Sequence, residues 1–332
     1  MARARCIPRA ARHQAGRLFL LFAVVMGTVA SVVRAEERAP ASTAYVTNQI
    51  GNSLSVVDLA AGKQIVEIAI GGKPAGIAVS FDKTRVFVAS PESHEIIVVD
   101  TATNAVTTRA SVGKGPLGIA VNPKSGVVYV ADWYEHRLYA LDPTTLAITA
   151  TVATGLSPSG VAVAADGATI FTADRDSNQV SVIDASSFEI LATLPTGERP
   201  FGITLDEPAA RAYTANVAAN TISVIDLKTR TRIRDVVVGL RPYAVARAGD
   251  RLFVTNQHGE SLSVIDAESL EPVATIRVGA FPEGIEADPS GRTIWVACWD
   301  ANTLEQIDVA TLKVAARIAV GDGPRAFGKF LR

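Results

Sequence analysis

The sequence predicts an all-β chain: a seven-bladed β-propeller of four-stranded antiparallel blades, its ring closed by three N-terminal strands plus one C-terminal strand. Three observations carry that expectation. A Gly is followed three residues later by a Pro seven times, from Gly71 and Pro74 to Gly321 and Pro324, at intervals of 42, 42, 42, 42, 40 and 42 residues. An aspartate keeps the same beat at Asp58, Asp100, Asp142, Asp184, Asp226, Asp266 and Asp308. Each period also holds four short apolar runs separated by Gly, Pro, Asn, Asp and Ser. A fixed period of this size marks a solenoid, a propeller or an array.

The four runs of one period span 85–89, 95–100, 105–112 and 117–122. They are rich in Val, Ile and Phe and too short for helices, so they read as strands. Runs such as Val127-Val128-Tyr129-Val130-Ala131 are apolar on both alternating faces, as in a sheet covered on both sides. Stacking four-stranded sheets radially about an axis covers both faces and leaves only short edges. With the inner strand of a blade labelled A and the outer one D, the chain enters at a B strand, Ala44 to Asn48. It ends on a lone A strand, Arg325 to Phe330, which should complete the first blade. An open ring would leave two blade faces wet and one strand edge unpaired. The single short repeat loses two residues between Val245 and Leu252, in an A-to-B hairpin.

Residues 1–35 stand apart. Arg3, Arg5, Arg9, Arg12 and Arg17 precede an uncharged run from Leu18 to Val33, and Val33-Arg34-Ala35 offers a cleavage site, the three-part pattern of a signal peptide. A short linker, 36–43, and the propeller, 44–332, follow. A periplasmic or secreted location is expected, with an uncleaved anchor as the alternative. The leader holds six arginines and no acid, so its loss from 32 basic and 33 acidic residues leaves a net charge of −7. Such a balance argues against a nucleic-acid or anionic-membrane partner. Only Cys298 survives cleavage, which excludes an intrachain disulfide. No later apolar run is long enough to span a bilayer.

The repeat resembles the YVTN-type β-propeller repeat. Tyr45-Val46-Thr47-Asn48 spells its name, echoed by Phe253-Val254-Thr255-Asn256 and Tyr213-Thr214-Ala215-Asn216. The Ser-Val-Ile-Asp strand of that family stands at Ser181 to Asp184, Ser223 to Asp226 and Ser263 to Asp266. The resemblance covers everything after the leader. It implies a seven-bladed propeller, commonly exported in bacteria and archaea, and little about activity.

The repeated marks read as structural. Six of the seven aspartates have Ser or Thr three residues on, and an Asp side chain there can accept backbone N–H bonds and fix the C-to-D turn. In the Gly-x-x-Pro unit, Gly is expected to supply positive φ and Pro to stiffen entry to the next inner strand. No phosphate-binding loop, HExxH zinc motif or GxSxG elbow occurs.

The unrepeated residues are the candidates for function. D-to-A and B-to-C loops share one face, and around its mouth Lys73, Arg199, Arg241 and Arg325 make a positive rim. Converging guanidinium groups suit a carboxylate or phosphate ligand, and Phe201 and Tyr243 can stack on it. The competing account is a solvated rim in which Glu283 pairs with Arg241 or Arg325. In the B-to-C loops, Trp133, Tyr134 and Trp299 resemble an interface hot spot for a protein partner; alternatively the two Trp fold down over the blade tops. His94 and His136, with Asp132 or Glu92, offer metal-binding atoms but no local ligand spacing, and no metal or cofactor is expected. Cys298 reads as a small residue ending a buried strand rather than as a reactive thiol.

The expected function is therefore an exported, soluble binding module that presents its B-C/D-A loop face to a protein partner or a small anionic molecule. The alternative is an enzyme or accessory subunit. Propellers similar in outline include lactonases, the haem d1 domain of nitrite reductases and subunits of quinone-dependent amine dehydrogenases. Those chemistries need metal-binding acids, axial histidines or a cofactor-carrying partner, whereas the mouth positions here offer one acid, Glu283, and no histidine.

Overall fold

The structure, a computed structural model, describes residues 41–332; the leader and most of the linker lie outside the described residues. Six four-stranded antiparallel blades follow one another in chain order, each as expected from the period. Blade 3 is typical, with strands Pro116–Val121, Val128–Asp132, Arg137–Leu141 and Ile148–Ala153. The B strand of that blade is buried along its whole length, Tyr129 and Val130 included. D strands alternate exposed and half-buried positions, as in Ala105–Ser111, because only one of their faces meets a neighbouring blade.

Blade 1 is assembled from both ends of the chain. Thr43–Asn48, Ser53–Asp58 and Lys63–Ala69 form three strands, and the C-terminal segment completes it through antiparallel bridges Asn48↔Pro324 and Ala44↔Leu331. Its central residues, Phe327–Lys329, also run parallel to Gly76–Val79, the inner strand of blade 2. Phe330 is fully buried between the blade 1 strands and their neighbours. A side chain of that size contributes about 1.5–3 kcal/mol by leaving water. The Glu286 carboxylate of blade 7 accepts the N–H groups of Phe330 at 2.6 Å and Leu331 at 2.9 Å, so the closing strand is held by packing and by charge-assisted hydrogen bonds.

The aspartate beat is turn chemistry in all seven repeats. Each carboxylate accepts the N–H three residues on, from Ala61 to Asp58 at 2.8 Å through Thr311 to Asp308 at 2.7 Å. The short repeat closes as a tight hairpin around Gly249 and Asp250, with Ala248 paired to Arg251.

The Gly-x-x-Pro unit works differently from the expectation. Its leading glycine has positive φ only at Gly71 and Gly113. In six of the seven units the left-handed residue is the one before the proline: Lys73, Ser157, Arg199, Arg241, Phe281 and Gly323, at φ 52–68°. A recurrent acceptor 21 residues upstream holds that conformation. The N–H groups of Lys73, Arg199, Arg241 and Gly323 donate to Oδ1 of Asn52, Asn178, Asn220 and Asn302 at 2.8–3.0 Å. Ser157 donates instead to Nδ1 of His136 at 3.0 Å. Everywhere but at Gly71, where φ is 82° and nothing lies within 4 Å, the leading glycine is required for space: a Cβ on Gly239 would lie 2.5 Å from the Asn256 side chain.

Candidate functional site

Two rings of unrepeated side chains surround the axis on the face that carries the D-to-A and B-to-C loops. The loops are tied together blade by blade. The first residue after a B strand donates its N–H to the carbonyl before the proline, as Trp133 does to Gly115, Arg175 to Ser157, Gln257 to Arg241 and Trp299 to Phe281. The inner ring is therefore the residue after each proline, and the outer ring is the residue after each B strand.

The inner ring closes the mouth. Ala75, Leu117, Ser159, Phe201, Tyr243 and Glu283 are all buried. Phe201, Tyr243 and Phe327 pack ring against ring, with centroids 4.5, 4.9 and 5.5 Å apart. Such close approach is possible because the next residue along is usually glycine: a Cβ on Gly118 would lie 1.7 Å from the Ser159 carbonyl oxygen. Phe201 and Tyr243 thus fill the axis together, and Phe327, which the period does not single out, is the third member of the plug. It stands where the other blades place Ile or Val.

Glu283 and Arg325 meet inside this plug. Arg325 Nε lies 2.7 Å from Glu283 Oε2, but its single N–H is directed at the Tyr243 hydroxyl at 2.8 Å, so the carboxylate contact is an ion pair without a hydrogen bond. Gln257 Nε2 donates to the other Glu283 oxygen at 2.6 Å. Burial pushes the Glu283 carboxyl up, against the pull of Arg325. Burial also drives the Tyr243 hydroxyl upward. The same burial works against the Arg325 guanidinium, yet Glu283 and Tyr243 hold it charged, above its ordinary value. Glu283 pairs with Arg325, one of the two partners the competing account of the rim offered, but the pair is buried in the plug rather than solvated. Lys73, Arg199 and Arg241 remain outside it.

Outside the plug, over blades 4 to 6, lies a cluster of arginines. Arg175 stacks over Trp133, 5.2 Å from the ring centroid, and Trp133 packs against Phe201 at 6.1 Å. Asp176 is shared, 2.6 Å from Arg175 and 3.9 Å from Arg199. Burial lowers the Arg175 pKa, and repulsion from Arg199 and Arg241 lowers it further against the attraction of Asp176. Arg199 and Arg241 are therefore each near enough to oppose Arg175. Arg199 is exposed, and Lys73 and Arg241 have no ion-pair partner among the described residues. Sequence reasoning placed Arg175 in the B-to-C loop cluster without a role, and it missed Gln257. Their signal was the same one that singled out Trp133 and Trp299, a variable residue following each B strand.

Trp299 folds down: its indole N–H donates to Gln49 Oε1 at 3.3 Å, across the junction with blade 1. Tyr134 remains 66 % exposed. His136 is committed to the Ser157 N–H, and His94 occupies the equivalent turn of blade 2 with the same left-handed backbone. Among the described residues no group of three His, Cys, Asp or Glu side chains converges to hold a metal ion. Cys298 is fully buried, and burial pushes its thiol up, away from the reactive thiolate. No helix among the described residues is long and apolar enough to cross a membrane.

Fold and site together define a closed seven-bladed propeller with a sealed mouth and a cationic rim. The chain belongs to the YNCE-like beta-propeller family, whose model matches residues 18–330. No curated protein sequence matches it. Among solved structures it is similar to Kuenenia stuttgartiensis hydrazine synthase, with TM-score 0.70 and 18% identity over 77% of this chain and 89% of that one. A functionally unknown protein from Desulfotomaculum acetoxidans DSM 771 gives TM-score 0.75 and 14% identity over 85% and 98% of the two chains. The dihydro-heme d1 dehydrogenase NirN in complex with DHE gives 0.63 and 18% over 87% and 67%. At these identities the likeness is one of fold.

Proposed function

We propose that this protein is an exported, soluble binding module that takes an anionic group, carried by a small molecule or a protein partner, on its D-A/B-C loop face. The observation that carries this reading is the cluster of Arg175, Arg199 and Arg241 beside Trp133, with Asp176 as its shared anion. An Arg175 guanidinium repelled by Arg199 and Arg241 gains from an arriving carboxylate or phosphate. The backbone beneath Arg199 and Arg241 is set by Asn178 and Asn220, so binding has to order only their side chains. Exposed Tyr134 supplies an aromatic contact at the edge of the same face. The repeat is read as YVTN-type on Tyr45 to Asn48 and its echoes, and export rests on the leader.

The test is a titration of the purified protein with citrate and with a glutamate-rich peptide, followed by Trp fluorescence. Binding is expected to weaken with salt and to be lost in Arg199→Ala/Arg241→Ala. Equal binding by both proteins, or by neither, removes this reading.

A further inference from the structure

The plug of Phe201, Tyr243 and Phe327 shuts the mouth of the ring, so the arginine cluster has no axial cavity beneath it. Small-molecule sites are concave and enclose most of their ligand, whereas protein partners meet at broad faces.

A third ring of side chains lies one residue outside the other two. The second residue after a B strand donates its N–H to the carbonyl two residues before the proline. Asp176 does so to Leu156 at 3.1 Å, Ala218 to Glu198 at 3.2 Å and His258 to Leu240 at 3.3 Å. Over blades 7, 1 and 2 the same places hold small or acidic residues, Asp300, Asp322 and Glu92 among them.

The large apolar side chains of this face gather beside the arginines. Leu156 is 49 % exposed and Leu240 57 %. The Leu156 carbonyl is tied to Asp176, the anion that Arg175 and Arg199 share, and Leu240 directly precedes Arg241. Tyr134 follows Trp133, and its ring lies over Gly115, where a Cβ would be 2.4 Å from it. The ring is thus backed by the chain yet open to water. Among the described residues only Ile50 matches these side chains on the rest of the face.

Glu198 stands between the two leucines in ring order, beside Arg199. The surface is therefore a mosaic of aliphatic, aromatic and charged side chains, as in interfaces between separately folded proteins. A nucleic-acid strand suits a continuous positive groove with aromatic platforms. Here its phosphates would meet Glu198 and Asp176, and its bases would leave the leucines uncovered.

We infer that this arc, over blades 3 to 6, is a docking surface for a protein whose contact segment alternates acidic with bulky aliphatic side chains. The inference rests on the proposed anion site and narrows its ligand to a polypeptide. The partner's acids meet Arg175, Arg199 and Arg241, and its aliphatic side chains cover Leu156, Leu240 and the open side of Tyr134.

Trp fluorescence titration of the purified protein tests this with citrate and two peptides of equal length and charge, Glu alternating with Leu in one and with Ser in the other. The Glu–Leu peptide is expected to bind about tenfold more tightly, through partial burial of the two leucines. Leu156→Ser/Leu240→Ser should erase that difference and leave citrate affinity, Glu–Ser affinity and the melting temperature unchanged, since both side chains are exposed. Arg199→Ala/Arg241→Ala should lose all three ligands. Four results would overturn the inference and leave the anion site standing: equal affinity for the two peptides, citrate binding without either peptide, a leucine variant that keeps the preference or loses citrate, or tighter binding of oligothymidylate than of Glu–Leu. No binding of citrate or of either peptide, or wild-type binding in the arginine variant, would remove that site and the inference with it.

Discussion

Arg325, on the strand that ends the chain, donates its Nε–H to the hydroxyl of Tyr243, 82 residues upstream, at 2.8 Å. The bond crosses the axis side of blade 7 and brings Arg325 to within 2.7 Å of Glu283. It places a buried charge at the closure of the ring, where a ligand rim was expected.

Removing one partner of this pair should be costly. Glu283→Gln leaves the Arg325 guanidinium buried without its counter-ion, and breaking a buried pair this way costs about 3–5 kcal/mol. Urea denaturation should show that loss, whereas Arg241→Ala on the exposed rim should fall within about 0.5 kcal/mol of wild type. Equal effects at the two positions would contradict the burial of the pair.

Closure of the ring depends on the last strand. Deleting the residues after Gly323 removes Phe330 and both N–H partners of Glu286, and should lower the melting temperature of the whole ring rather than fray one end. Glu286→Ala is the milder version. It leaves two buried N–H groups without acceptors, at about 1–3 kcal/mol each.

Acid should loosen the turns. Asp100, Asp142, Asp226, Asp266 and Asp308 are held below the ordinary carboxylate value by turn N–H groups and hydroxyls, and Asp184 falls to about 2, mostly through the Ser186 hydroxyl and then the Ser187 N–H. A depressed folded pKa gives stability that is complete above the unfolded value of 3.8 and is lost as pH falls through the folded values. Glu283, Glu286 and Asp174 are shifted up by burial and act in the opposite sense. Stability should hold or rise slightly on mild acidification and then fall below about pH 4. Urea midpoints measured across that range check it; Asp184→Asn, whose amide oxygen can still cap the turn, should flatten the acid limb.

His136 stands where four other blades use Asn. His136→Asn should therefore preserve the Ser157 bond and leave stability within about 0.5 kcal/mol, while His136→Leu, which removes the acceptor, should cost about 1–3 kcal/mol. Equal losses in the two variants would point to a different task for this imidazole.

Much of the ring was legible because its marks are local. Asp142 caps its turn with atoms two and three residues away, and Pro116 stiffens its own strand, so the period reports them directly. The Asn52, Asn178, Asn220 and Asn302 series was equally periodic but has meaning only through a partner 21 residues on, which no local rule supplies. The leading glycine was misread in five of the seven units for the same reason. At Gly239, for example, the constraint is the Asn256 side chain in a neighbouring strand, not its own φ.

By itself the sequence determined the number of blades, the strand that closes them and the face on which each loop lies, since all three follow from counting along a fixed period. Only the tertiary structure decided which variable residues look outward. Periodicity gives a side chain its angular place around the ring but not its depth. At the axis seven inner strands converge, so Phe201, Tyr243, Phe327, Glu283 and Arg325 are pressed against one another. A few ångströms farther out Arg199 and Arg241 stay in water.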